Sequence, residues 1–381
     1  MANLLESKVM DRDLDWIKQS LQSAVELEFS TLPLYLSSMF SLEVQNYSAY
    51  NIIRSVVMEE MVHMSIAANM LAALGGSPAI RTINVKYPTQ GLPGGAEPDL
   101  KVGLANFSKP QLRNFMRLEA PAFLVSGYTL TEKYPTIGVF YKAIKSAIKK
   151  NKDAVRAAVQ KGGPSNQVGD NIGFTKFLYD PKKDPVKMFC DGIDEIMEQG
   201  EGSETEDLVT SNKFEKEESH YAKFGELYYG AEFVRPRAGT KITTSNEAKF
   251  FKGDSIGWPD VINTLAVPTD GYAKLLAVDP DGKTVGAALD AFDAAFSDML
   301  NLLDQVWNGP AAASWKTLGA AVHKMVDFRV LSCFNIMRYQ VPPAAVQQLE
   351  KLYPEEYNFL EAYTDLSKPV FYGPRFINTN K

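Results

Sequence analysis

A glutamate followed three residues later by a histidine occurs twice, as Glu60-Met61-Val62-His63 and Glu217-Glu218-Ser219-His220, in a chain with only 3 histidines. On a helix, residues three apart share a face, so each pair can point at a common ion. Two such pairs from two helices, plus one inward glutamate from each of two more, make the ligand set of carboxylate-bridged di-metal bundles. The constraint on folding is severe, because four helices must bring acids and imidazoles to one interior point.

The apolar periodicity supplies the helices. Leu14, Ile17, Leu21, Val25, Leu32, Tyr35, Leu36 and Met39 fall at helical spacing over 13–42, with Pro33 predicting a kink or local loosening. A second helix is predicted over 49–74, stopped by Gly75-Gly76 with Pro78 beyond. The Pro- and Gly-rich stretch 80–106 reads as a long crossover, and Ser108 as the N-cap of a third helix reaching Glu119. Further helices are expected over 137–150, 185–199 and 211–229, the last carrying the second Glu/His pair. An irregular stretch over 230–286 precedes two long helices, 285–307 and 311–339, and a packed strap over 369–376. Strand signal is weak throughout, so the fold class is all-α. The organisation expected is a bundle over residues 1–230 and an irregular segment plus helical extension over 231–381.

Each acid can be assigned a face. Glu28 lies with Leu21, Ala24, Val25, Leu32 and Tyr35, and a carboxylate inside an apolar stripe needs a partner. Glu60 and His63 lie with Val56, Ala67 and Leu71. Glu217 and His220 lie with Phe224 and Leu227, and Glu218 is the alternative to Glu217. For the fourth carboxylate, periodicity points both Glu119 and Glu201 inward and does not choose between them. An oxygen-rich set with two imidazoles and no thiolate suits iron, with manganese the alternative, better than copper(I) or structural zinc. Tyr35 and Tyr221 fall near the site, where they could be hydrogen-bond partners or radical intermediates, although the simpler reading is amphipathic core residues. Phe29, Phe40, Phe115 and Phe123 are expected to line a substrate pocket. His323 has no acid at i−3 or i−4 and reads as structural.

These motifs come in an order similar to that of the ferritin-like iminophenyl-pyruvate dimer synthase family. The resemblance rests on Glu28-Phe-Ser-Thr-Leu-Pro-Leu-Tyr-Leu, Glu59-Glu60-Met-Val-His63, Asn69-Met-Leu-Ala-Ala-Leu-Gly-Gly and Phe115-Met-Arg-Leu-Glu119-Ala-Pro. It continues through Ile137-Gly-Val-Phe-Tyr, Glu198-Gln-Gly-Glu201-Gly and His220-Tyr-Ala-Lys-Phe224. It implies a ferritin-like four-helix bundle with additional C-terminal helices and long irregular connections. It also implies oxidative coupling of imines derived from an aromatic amino acid, in secondary metabolism.

Composition narrows the function classes. A net charge of −6 with no sustained Lys/Arg stripe disfavours nucleic acid. No apolar run reaches the ~20 residues of a membrane span. The first residues carry acids and no apolar core of a signal peptide, so a cytoplasmic location is expected. Cys190 and Cys333 sit in apolar helical contexts as free thiols. The expected function is a di-iron oxidase or oxygenase using O₂ on a small organic substrate, with self-association left open. A non-catalytic metal- or ligand-binding scaffold is the alternative. Iron storage fits less well, because the chain is far longer than a cage subunit needs.

Overall fold

The computed structural model describes residues 8–43, 47–121, 124, 136–162, 167–168, 180, 182–201, 218–237 and 240–380. The two longest helices of the first half, α1 (Leu14–Phe40) and α2 (Tyr47–Ala73), pack against each other along their length. Asp13 caps α1 by accepting the Trp16 N–H at 3.0 Å. Pro33 does not break the helix, which stays continuous from end to end. Hydroxyls buried in this helix spend themselves on backbone carbonyls: Ser30 on Leu27 at 2.6 Å, Thr31 on Glu28 at 2.7 Å and Ser37 on Pro33 at 2.8 Å. Helix α2 ends in a Schellman motif, in which Gly75 donates to Ala72 and Gly76 to Leu71. Gly75 takes φ +75°, the left-handed conformation this motif requires.

The crossover after α2 is a packed wall, with Leu92, Ala96, Leu100, Val102 and Leu104 all buried. It contains one short antiparallel pair, β1 (Thr89–Gln90) with β2 (Lys101–Val102). The opposite side of the bundle is built in pieces. Helix α3 (Lys109–Leu118), capped by Ser108, packs on α7 (His220–Tyr229); α4 (Ile137–Lys150) packs on α6 (Pro185–Glu201). Helix α5 (Lys152–Gly162) lies against α6 and α2. Helix α7 starts at His220, not near residue 211: Ser219 is extended (ψ 163°) and its hydroxyl accepts the Ala222 N–H. An N-cap residue must leave the helical conformation to do this. The helical register therefore does not continue upstream of His220, and residues 202–217 lie outside the description.

After α7 the strands β3 (Ala231–Phe233) and β4 (Phe251–Ser255) pair antiparallel. Short α8 (Ala273–Val278) leads to α9 (Gly282–Asn308) and α10 (Ser314–Val330), and α10 continues into a π-helical turn, Leu331–Ile336. This layer is anchored to α2: the Trp307 indole donates to Asn69 at 2.9 Å, and Asp304 accepts the N–H groups of Ile80 and Arg81, each at 3.0 Å. With α9 on one side and the bundle on the other, the second halves of α1 and α2 are buried nearly all round. Three short helices follow: α11 (Pro343–Val346), α12 (Leu349–Leu352) and α13 (Tyr357–Tyr363). The terminal strap is held by Arg375, which donates to Asp293 at 2.6 and 2.9 Å and to Asp290 at 2.7 Å. Among the described residues no helix is long and apolar enough to cross a membrane.

Candidate metal centre

Five of the predicted ligand residues meet in the bundle interior: Glu28 from α1, Glu60 and His63 from α2, Glu119 at the C-cap of α3, and His220 at the start of α7. All five are buried. They form two groups, Glu28/Glu60/His63 and Glu60/Glu119/His220, each with its ligand atoms within 4.8 Å of one another. Glu60 belongs to both. Glu119 is thus the described acid that joins the cluster; the side chain of Glu201 and the whole of Glu217 lie outside the described residues. Glu218 precedes the extended Ser219, so its helical relation to His220 does not hold.

The imidazoles are oriented from behind. His63 Nε2 lies 2.8 Å from Gln199 Oε1, and Gln199 in turn donates to Glu195 at 3.0 Å. His220 Nε2 lies 2.8 Å from Glu59 Oε2, and Lys223 donates to both oxygens of Glu59 at 2.7 and 2.8 Å. A partner on Nε2 leaves Nδ1 to face the acids. For His63 those are Glu28 at 3.6 Å and Glu60 at 3.7 Å; for His220 they are Glu60 at 2.8 Å and Glu119 at 3.4 Å. Despite these distances, buried His220 Nδ1 makes no hydrogen bond. A buried polar atom without a partner needs an explanation, and a ring nitrogen facing two carboxylates is a metal-ligand arrangement. The donor set, carboxylate oxygens with one imidazole nitrogen per group, fits a pair of divalent first-row ions.

Tyrosines hold the remaining carboxylate oxygens. The Tyr35 hydroxyl donates to Glu119 Oε1, and the Tyr141 hydroxyl to Glu28 Oε1. Tyr221 does not act here; it donates to Glu247, which also accepts from Tyr229 at 3.0 Å. Gln199, Glu59, Lys223 and Tyr141 lie within the motifs quoted above but were given no role there. The doublet Glu59-Glu60 was a further signal, since adjacent acids on a helix cannot face the same way and each needs its own partner.

Without an ion, the cluster is loaded with protons. Burial, then the neighbouring Glu60, pushes Glu28 up to about 8, and the same two causes raise Glu119. Burial opposes ionisation of Glu60 too, but His220 and His63 outweigh it and hold this acid well below the usual range. Burial likewise opposes the charged imidazoles. Glu28 and Glu60 nevertheless push His63 up to about 10, and Glu60, Glu119 and Glu59 raise His220 well above its usual value. Glu59 falls to about 2 because His220 and Lys223 overcome its burial.

A small cavity of about 320 Å³ opens onto the cluster. Its wall includes Glu28, Glu60, His63 and Glu119 together with Gly138, Ile196, Met197 and Gly200, but not His220. A Cβ on Gly200 would stand 3.4 Å from Glu119 Oε2, so glycine keeps the space beside that carboxylate open. The aromatic lining expected from sequence is elsewhere: Phe115 packs on Tyr35 and Phe224, Phe29 faces α9, and Phe123 lies outside the described residues. His323 is exposed on α10.

The chain belongs to the ferritin-like family, whose model matches residues 21–229. A crystal structure of a ferritin-like protein from Caulobacter vibrioides shares the fold, with a TM-score of 0.55 at 18% identity, over 84% of this chain and 96% of that one. No curated protein matches the chain.

Proposed function

We propose that this protein is a non-haem di-iron oxidase or oxygenase that uses O₂ on a small organic substrate, with manganese the alternative metal. The observation that carries the reading is the sharing of buried Glu60 between two carboxylate–imidazole groups, with His220 Nδ1 facing Glu60 and Glu119 without a hydrogen bond. Glu28, Glu60 and His63 would hold one ion, and Glu60, Glu119 and His220 the other. When bound, two ferrous ions supply a pair of electrons to dioxygen. The chain's own residues fix the setting. Gln199 and Glu59 hold the imidazoles in one tautomer and orientation, while Tyr35 and Tyr141 each occupy one oxygen of a ligand carboxylate. Ile196 and Met197 give the entrance an apolar wall that favours an organic molecule over bulk water.

The finer reading is an amino-acid-derived imine as substrate, on the strength of the motif order shared with the iminophenyl-pyruvate dimer synthase family, with the enzyme acting in the cytoplasm. The test is elemental analysis of protein purified without air, followed by optical spectra on adding O₂. Two irons per chain and an oxygen-dependent visible band are expected. A protein that takes up neither iron nor manganese would overturn the enzyme reading and leave a scaffold.

A further inference from the structure

A second cavity lies between the α1–α2 pair and the α9–α10 layer and shares no residue with the metal cluster. Its room is about 70 Å³ on the scale used for cavities inside proteins, and the side that opens to solvent adds more. The wall is hydrocarbon and thioether: Phe29, Leu32 and Leu36 from α1, Phe296 and Leu303 from α9, Leu318 and Phe328 from α10. Four methionines complete it, Met61, Met64, Met299 and Met325.

The two side-chain donors on this wall have given their hydrogens elsewhere: the Ser65 hydroxyl to the Met61 carbonyl at 2.9 Å, and the Trp307 indole N–H to Asn69 at 2.9 Å. The surface that faces the cavity is almost wholly apolar. A ligand bearing a hydroxyl or a charge would therefore give up its hydration for little in return. Apolar cavities of this kind stay dry and take up small hydrocarbons, and methionine side chains adapt to the shape of a guest.

We propose that this cavity is a binding site for an uncharged hydrocarbon group, of the size of one aromatic ring or a short alkyl chain, and that it rejects hydroxylated analogues. The site is independent of the metal reading, because no predicted ligand lines it.

The experiment uses the full chain labelled with ¹³C at its methionine methyls, titrated with toluene and, in parallel, with phenol, which has nearly the same shape. Toluene should shift the methyl signals of Met61, Met64, Met299 and Met325 and leave those of Met39, Met70 and Met116 in place. Phenol should bind at least about tenfold more weakly, a difference of about 1.4 kcal/mol. Leu318→Trp, which fills the space, should abolish the toluene response. Should that variant fail to fold, the wild-type pattern decides alone. No shift up to toluene saturation, shifts spread over remote methionines, or equal response to phenol would each overturn the proposal. Metal content is measured on the same sample, so failure here and failure of the di-iron reading are separate results.

Discussion

Loading the centre with metal should expel protons held by its acids and imidazoles. At pH 7 the metal-free cluster holds protons on Glu28, pushed up to about 8, and on His63, pushed up to about 10. Burial raises Glu119, and its acidic neighbours raise His220. Glu60 is lowered instead. A carboxylate or imidazole nitrogen must lose its proton to bind an ion, so two divalent cations displace about two protons from Glu28 and His63. Their release offsets part of the charge that the cations bring into an apolar interior. Released protons make affinity pH-dependent: below the raised values, each one contributes about a factor of ten per pH unit. Two protons over two ions give about tenfold per ion between pH 6 and 7.

The sign for stability of the metal-free protein follows from the same shifts. Glu28 and His63 have folded values above their unfolded ones, so their stabilisation is complete below the unfolded values. It is lost as pH rises through about 8 and about 10 respectively. Glu59, lowered to about 2, contributes in the opposite sense, above its unfolded value, and loses its contribution as pH falls toward 2. The assay is calorimetric titration of metal-free protein with Mn²⁺ in buffers of different ionisation heat, where the slope counts protons. Release of fewer than about one proton, or affinity flat between pH 6 and 8, would refute the reasoning.

Because Glu60 serves both groups, Glu60→Gln should lower bound metal from two ions per chain to none, whereas Glu28→Gln should leave one; equal losses, read by elemental analysis, would contradict the sharing. Gly200→Leu should close the entrance beside Glu119 and cut turnover more than tenfold while metal content stays at the wild-type value. Asp293→Ala should leave the guanidinium of Arg375 and the Ile377 N–H without their main acceptor and cost about 3 kcal/mol. That loss, with Asp290 still paired to Arg375, would appear as a lower denaturation midpoint with unchanged metal content.

The three acid and imidazole residues on α1 and α2 were legible in the sequence for a plain reason. Helices α1 and α2 run unbroken through their ligands, so the face that carries Leu21, Ala24 and Tyr35 also carries Glu28, and the one with Val56 and Ala67 carries Glu60 and His63. Periodicity is valid wherever the helix is continuous. It does not hold between Glu218 and His220, because Ser219 between them is an extended N-cap, and Glu217 lies outside the described residues. A serine just before an apolar helical run is itself a start signal, and weighing it would have withdrawn the face argument for Glu217 and Glu218. Gln199 and Glu59 stand inside quoted motifs, but their roles were not legible, because the imidazole each one holds is chosen by tertiary contact across 136 and 161 residues, which helical spacing does not encode.

The same contrast divides the centre physically. Glu28, Glu60 and His63 project from the middle of two long continuous helices, so the α1–α2 packing sets where their backbones stand, and Tyr141 and Gln199 add to it at Glu28 and His63. Glu119 and His220 project from helix ends, where orphan backbone groups make geometry depend on caps. What restores their precision lies around them: Tyr35 from α1 holds Glu119, and Glu59 from α2 holds His220. The rigid helix pair thus presents its own ligands and also reaches across to fix the two it does not carry. Residue Glu59, invisible as a ligand, is in this sense as much a part of the site as its neighbour Glu60. Replacing its carboxylate would free His220 to turn about a bond that nothing else on α7 restrains at Nε2 among the described residues.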